Sequence, residues 1–333
     1  MIEFDIVLYD IRLRVIAREN TKKVITELMN GHSYIEDTAG VATYTLILDN
    51  DIVEWKHGEK IHMIDKWFDN ASCDVWIDNT NRIVSMTNIW ASSIKNKNLL
   101  IQYFACNLFN RLLEEKGYIA FHSSCVDKDG NGISFIGPRN SGKTNCMLNM
   151  MAEGYNSVTN DKLGILYNDD ELYGYGVAQD VSIRMSLSFR NQPQNKIYIP
   201  YVEREGIKLS DKNLLDGNSI HLESCELATL NGVVQIPTTN IKHILFPKYN
   251  SEIKEVILNH LPPEEVRELI LNQLLPIVHP CNEFLRIVHT NNTKAVDKSI
   301  TIEEMLKLEN YEIIQGENCR SSFVKTINKI MNN

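Results

Sequence analysis

The sequence predicts an α/β fold in two parts: a β-rich N-terminal domain over residues 1–95 and an α/β domain over residues 96–333. Three observations carry that expectation. Short alternating or β-branched runs dominate the first part. The polar stretch Ser92-Ser93-Ile94-Lys95-Asn96-Lys97-Asn98 separates it from an amphipathic helix. Further on, the apolar run Ile133-Ser134-Phe135-Ile136 leads into Gly137-Pro138-Arg139-Asn140-Ser141-Gly142-Lys143-Thr144, and a helix-compatible stretch follows. Strand, Gly-rich loop and helix in that order build an α/β core.

The elements follow from local pattern. Phe4 to Ala17 alternates apolar and polar residues, and Ala42 to Leu48 is rich in β-formers. Asp74-Val75-Trp76-Ile77 and Ile83-Val84-Ser85-Met86 flank Asp78-Asn79-Thr80-Asn81, whose composition suits a hairpin turn. After the polar break, Asn98 is placed to cap a helix. Leu100, Phe104, Leu108 and Leu112 recur every four residues as its buried stripe, and Gly117 ends it. Tyr118 to Val126 and Ile133 to Ile136 form a hairpin around the turn Asp127 to Gly132. The helix after the Gly-rich loop runs from about Lys143 to Glu153, stopped by Gly154. Gly164 to Tyr167 and Glu171 to Tyr175 flank Asn168-Asp169-Asp170; the two aspartates read as a hairpin turn before they read as a metal site. Pro263 to Leu275 is helical, Thr301-Ile302-Glu303-Glu304 fits a capping box, Tyr311 to Ile314 fits a strand, and Ser321 to Met331 a final amphipathic helix.

Composition excludes several classes. With 43% hydrophobic and 23% charged residues the chain is that of an ordinary globular protein. A net charge of −9 with no long basic run gives no nucleic-acid footprint. No apolar run is long enough to span a bilayer, so no membrane partner is expected. The seven cysteines are scattered without a C-x-x-C pair, and the acidic start Met1-Ile2-Glu3-Phe4-Asp5 does not read as a secretory signal. Reduced thiols in a cytoplasmic setting are the expectation. Nothing in the pattern fixes an oligomeric state, and a homo-oligomer stays open.

The loop carries the chemistry. Residues 137–144 match G-x-x-x-x-G-K-[ST] completely. Gly137 and Gly142 allow the backbone, with Asn140 and Ser141, to turn its N–H groups around phosphate oxygens. The following helix adds its positive N-terminal end. Lys143 suits the β- and γ-phosphates of a nucleotide, and the Thr144 hydroxyl suits Mg²⁺. ATP with Mg²⁺ is therefore the expected ligand pair. Three further residues stand at suggestive spacings. His122 lies 15 residues before Gly137, on the preceding strand; Gly154 lies 11 after Lys143 and Asp161 18 after it. Taken alone, a histidine in a strand is as well explained by a satisfied core residue.

The segments Phe121-His122-Ser123-Ser124, Gly137 to Thr144, Ala152-Glu153-Gly154-Tyr155 and Thr159-Asn160-Asp161 together resemble the HPr kinase/phosphorylase superfamily of phosphate-loop kinases. The detailed match spans about forty residues, Tyr118 to Lys162. It also resembles the smaller relatives found beside natural-product (RiPP) peptide genes, which bring their own β-rich N-terminal domain. The resemblance implies an HPr-kinase-like, phosphoenolpyruvate-carboxykinase-like nucleotide core. It implies ATP-dependent transfer of a phosphoryl group to a hydroxyl, with Thr144 and Asp161 on Mg²⁺ and His122 near the acceptor. The acceptor is then a serine or threonine of a small peptide held by the N-terminal domain, or a small molecule such as free serine. Arg184, in a later strand-like run, suits neutralisation of the transferred phosphate or an ordinary paired arginine equally. HPr itself is not expected as substrate, because the further Gly-rich segments of HPr kinases proper are missing. One position departs from the pattern: the family has two successive acids, and this chain has Asn160-Asp161. An amide takes no proton at neutral pH. The departure therefore leaves open a nucleotide-binding regulatory module without transfer.

Overall fold

The computed structural model describes residues 1–8, 11–29, 34–36, 38, 40–48, 58–65, 71–90, 94–176, 181–184, 193–204, 219–276, 278, 280–289, 297–316 and 319–331. The chain is mixed α/β, as the sequence predicts, and divides into two compact units. One comprises Met1–Ile119 with Pro276–Lys298, the other Ala120–Leu275 with Ser299–Asn333. Among the described residues no helix is long and apolar enough to cross a membrane.

In the first unit, strands β1 (Ile2–Leu8), β2 (Ile11–Ala17), β3 (Tyr34–Glu36), β4 (Tyr44–Leu48), β5 (Glu59–Asp65), β6 (Ala71–Asp78) and β7 (Ile83–Trp90) form one sheet. Its order is β3-β1-β2-β4-β7-β6-β5. The alternation in the sequence is the alternation of its faces: Ile11, Leu13, Val15 and Ala17 of β2 are buried. Arg12 and Arg14, between them, bind the buried Asp5 carboxylate at 2.6 and 3.0 Å. Helices α1 (Glu19–Met29) and α2 (Ile94–Glu115) pack on each other, and α2 also meets β2 and β6. Leu100, Phe104, Leu108 and Leu112 are all buried, so the four-residue stripe is core.

The unit boundary differs from the expected one. Ser92 and Ser93 lie outside the described residues, and α2 begins at Ile94, so Asn98 sits inside the helix rather than capping it. From Ile94 onward the polar stretch is the start of a helix belonging to the first unit. The return of residues 276–298 to that unit has a specific cause. The Asn79 side chain accepts from the Tyr44 hydroxyl (2.5 Å) and the His289 backbone N–H (3.1 Å), and donates to the Ile287 carbonyl (2.9 Å). Phe284 stacks on Phe104 of α2. A chain truncated to start at Lys97 is therefore expected to aggregate. It keeps most of α2 but loses α1 and the strands that α2 packs against, exposing side chains whose burial contributes about 1.5–3 kcal/mol each. Size-exclusion chromatography giving a folded monomer would contradict this.

The second unit holds β8 (Ile119–Lys128, from Ala120 onward), β9 (Asn131–Ile136), α3 (Lys143–Met151), β10 (Asn156–Thr159), β11 (Lys162–Asn168) and β12 (Glu171–Gly176). It continues with β13 (Val181–Arg184), β14 (Ser219–Leu222), β15 (Thr238–Tyr249), β16 (Ile257–His260), β17 (Leu274–Leu275) and β18 (Asn310–Gln315). Nine of these strands form one sheet, along the path β10-β8-β11-β12-β15-β18-β16; β17 adds to β8, and β9 bridges β8 and β15. The three strands β9, β15 and β18 run parallel, so their carboxyl ends lie together. Helix α3 is buried through Cys146, Met147, Met150 and Met151 in one core with Phe135, Leu245, Ile313 and the last helix, Arg320–Met331.

Two local expectations are corrected and one is met. The helix starting at Pro263 stops at Asn272, because Leu274 and Leu275 leave it to pair with Phe121 and Ala120. Thr301 is no helix cap: its helix begins at Lys298, and the buried hydroxyl accepts the Tyr167 backbone N–H at 3.2 Å. Asp169 and Asp170 have φ of 49° and 63°, which fixes them as the central residues of a tight hairpin turn. Among the described residues no three His, Cys, Asp or Glu side chains form a metal-binding group. Cys73, Cys106, Cys125, Cys146, Cys225 and Cys319 are in no disulfide.

Candidate active site

The β8–β9 hairpin sets the site. Its two-residue turn is Asp129-Gly130, both with positive φ (55° and 82°), the type I′ geometry that matches strand twist. The register runs from Lys128 opposite Asn131 to Ser123 opposite Ile136. One step further, the Gly137 N–H donates to the His122 carbonyl at 3.2 Å. The 15-residue spacing in the sequence is thus a cross-strand neighbourhood: His122 stands opposite the first residue of the Gly-rich loop.

The loop closes tightly on itself. A Cβ at Gly137 would lie 2.7 Å from the Ser141 Oγ, and a Cβ at Gly142 2.6 Å from the Gln315 Nε2. Gly142 also needs its φ of 99°, a left-handed value that glycine adopts without strain. Asn140, with φ 71°, is of a residue type that tolerates that region. Gly142 is the N-cap of α3 and makes no side-chain cap hydrogen bond. Helix amides in that position suit an anion. Lys143 is 6% exposed, and its Nζ donates to the Gly137 and Pro138 carbonyls, both at 2.9 Å. Burial pulls its ammonium down to about 8, against the opposing pull of the Asp161 charge. Thr144 is the second residue of α3 and half-buried.

Two further residues fix this loop, Ser124 from a segment that carries the resemblance and Gln315 from no motif. Ser124 donates its hydroxyl to the Lys143 carbonyl at 2.9 Å. Gln315, at the end of β18, donates to the Gly142 carbonyl (3.2 Å) and accepts from the Asn145 amide (3.0 Å). Gln315 lies more than 170 positions from the loop. The parallel pairing of β18 with β15 brings it there, and no local pattern encodes that pairing.

Asp161 follows β10, which pairs with the far side of β8. Its carbonyl accepts the Ser123 N–H at 3.0 Å, and its carboxylate Oδ1 lies 2.8 Å from His122 Nε2. The histidine side chain is 21% exposed and the aspartate 41%, so the pair opens to solvent. The His122 N–H donates to the Gln273 carbonyl at 3.0 Å, which locks that strand position on its other edge. Asn160 places its Oδ1 in a buried position with no hydrogen-bond partner. Arg184 lies on β13, which pairs with β14 in a separate two-stranded sheet, and its side chain lies outside the described residues.

The arrangement can therefore do three things: surround an anion with loop and helix amides, meet it with a buried cation, and hold a histidine–carboxylate pair one strand away. No family model matches this chain, and no curated protein matches its sequence. Among solved structures the chain is similar to the HPr(Ser) kinase/phosphatase from Coxiella burnetii, at 14% identity over 64% of this chain and 99% of that one, with a TM-score of 0.29.

Proposed function

We propose that this chain is an ATP-dependent phosphotransferase that moves the γ-phosphoryl group to a hydroxyl, with a serine or threonine of a small peptide as acceptor. The observation that carries the reading is the His122–Asp161 pair, 2.8 Å apart and opposite Gly137 of the loop. A phosphate loop alone binds nucleotide; a base beside it gives an acceptor hydroxyl somewhere to send its proton.

Phosphoryl transfer needs mainly positioning and charge neutralisation. The amides at the end of the loop and in the first turn of α3 cradle the phosphates, and Lys143, already held at the loop by two carbonyls, meets the β- and γ-oxygens. The donors present fit Mg²⁺, which prefers hard oxygens and keeps waters: the half-buried Thr144 hydroxyl and the solvent-open Asp161 carboxylate. Mg²⁺ in that place would neutralise charge on the phosphates. His122 accepts the proton of the acceptor hydroxyl, and Asp161 holds the ring in position.

The peptide acceptor is supported by the first unit. Its sheet ends on β5, an edge strand where Ile64 is 54% exposed, and such strands take up extended peptides by backbone pairing. A second reading has its own observation. The orphaned Asn160 Oδ1 sits where the resemblance calls for an acid, which suits a nucleotide-binding module that has lost transfer. Transfer of radiolabelled γ-phosphate to Ser/Thr peptides and to free serine separates the two. Labelling by the wild-type protein supports the phosphotransferase and names the acceptor class. ATP binding without labelling, combined with labelling by Asn160→Asp, establishes the module instead.

A further inference from the structure

We infer that the nucleoside of the bound triphosphate lies over the carboxyl ends of β15 and β18, with its base stacked on Tyr249. The inference rests on the phosphotransferase reading and adds the half of the nucleotide site that the loop motif does not specify.

The argument starts from direction. The reacting phosphate must lie by the His122–Asp161 pair, on the β8 side of β9. The rest of the triphosphate then runs away from β8, over the loop, toward the strand on the other side of β9. That strand is β15, parallel to β9 and extending beyond it: the last pairing is Leu245 with Phe135, and β15 continues to Tyr249. Ligands of open α/β sheets gather outside the carboxyl ends of parallel strands. Two strand spacings separate β8 from β15, about 10 Å, a span on the scale of a nucleotide.

The face is fixed by the two-residue period. Leu245 of β15 and Ile313 of β18 both belong to the core around α3. Two residues beyond Ile313, Gln315 reaches the start of α3, bonding the Gly142 carbonyl and Asn145. Tyr249 is the residue paired with Gln315 in the parallel register and lies on the same face as Leu245. Its neighbour Lys248 belongs to the opposite face, where it pairs with Glu312. So the row that is core at Leu245 emerges beside the first turn of α3 at Tyr249, a residue 47% exposed to solvent.

The platform is rigid. Asn250 donates its N–H to the Gln315 carbonyl (2.9 Å), and its carbonyl accepts from Ile253 (3.1 Å). A Cβ at Gly316 would lie 2.1 Å from the Ile253 carbonyl oxygen, so this turn is closed onto the end of β18. An exposed aromatic held by such a turn loses little freedom when a base stacks on it.

Calorimetry on the full chain with Mg²⁺–ATP and with Mg²⁺–tripolyphosphate, which carries phosphates but no nucleoside, tests this. Tyr249→Ala should weaken ATP binding roughly ten-fold or more, the scale of one base stacked on one aromatic ring. Tripolyphosphate affinity should stay unchanged, and Tyr249→Phe should keep ATP affinity near wild type. Unchanged ATP affinity in Tyr249→Ala, or an equal loss for both ligands, overturns the stacking inference while leaving the loop intact. Wild-type protein that binds neither ligand overturns the phosphotransferase reading itself, and this inference with it.

Discussion

His122→Ala is expected to reduce phosphoryl transfer by about 10²–10⁴-fold, the usual contribution of a positioned general base, with ATP affinity nearly unchanged. The split between turnover and binding follows from the geometry. His122 faces the loop from the neighbouring strand and touches Asp161, while Lys143 is held by the loop's own carbonyls. Removing the imidazole leaves the hairpin register and the Gly137–His122 backbone bond in place, since that bond uses the main chain. Asp161→Asn differs in kind. It removes a charge that serves both the histidine and the proposed Mg²⁺, so both metal dependence and turnover should worsen. Steady-state kinetics over a Mg²⁺ series would show this as a raised Mg²⁺ requirement in Asp161→Asn and none in His122→Ala. A His122→Ala enzyme with full turnover would remove the histidine from the mechanism.

The sequence was most legible where chemistry and chain are local. The Gly-rich loop, the hairpin before it and the helix after it are neighbours in sequence, and turn chemistry at Asp129-Gly130 fixes a register that puts His122 at Gly137. The stripe of α2 was equally plain, because a four-residue period is local. Residues that depend on non-local pairing were not. Gln315 reaches the loop through the β15–β18 register, and Asn79 ties down Ile287 and His289 across more than 200 positions. The boundary moved for the same reason: a polar run looks alike whether it is a linker or the start of a helix, and only packing tells them apart. Leu274 and Leu275 repeat the lesson on a small scale. Their apolar character fits helix or strand, and pairing with Phe121 and Ala120 of β8 decides.

Lys143 should make nucleotide binding depend on pH in a direction that its burial sets. In the free protein its ammonium is pulled down to about 8. A triphosphate beside it favours the charged form and raises that value. Affinity is then greatest below pH 8, and should fall about ten-fold per pH unit above it until the pKa of the bound state is reached. Lys143→Ala should lose roughly 10²–10³-fold at pH 7, as expected for one member of a buried, hydrogen-bonded charge pair. In Lys143→Arg the guanidinium does not titrate, so whatever affinity remains should be flat across this range. The same burial has a stability consequence without nucleotide. The folded value lies below the unfolded 10.5, so folding disfavours the charged form. That penalty is complete below pH 8 and is relieved as pH rises from 8 to 10.5. Compared with Lys143→Met, which carries no charge, the wild-type protein should therefore gain about 3 kcal/mol of relative stability between pH 7 and 10.5. Urea unfolding of the two proteins at both pH values measures it, with the other titrating groups cancelling. A gap that does not move, together with ATP affinity that does not change above pH 8, would mean that Lys143 stands in water rather than at the floor of a phosphate site.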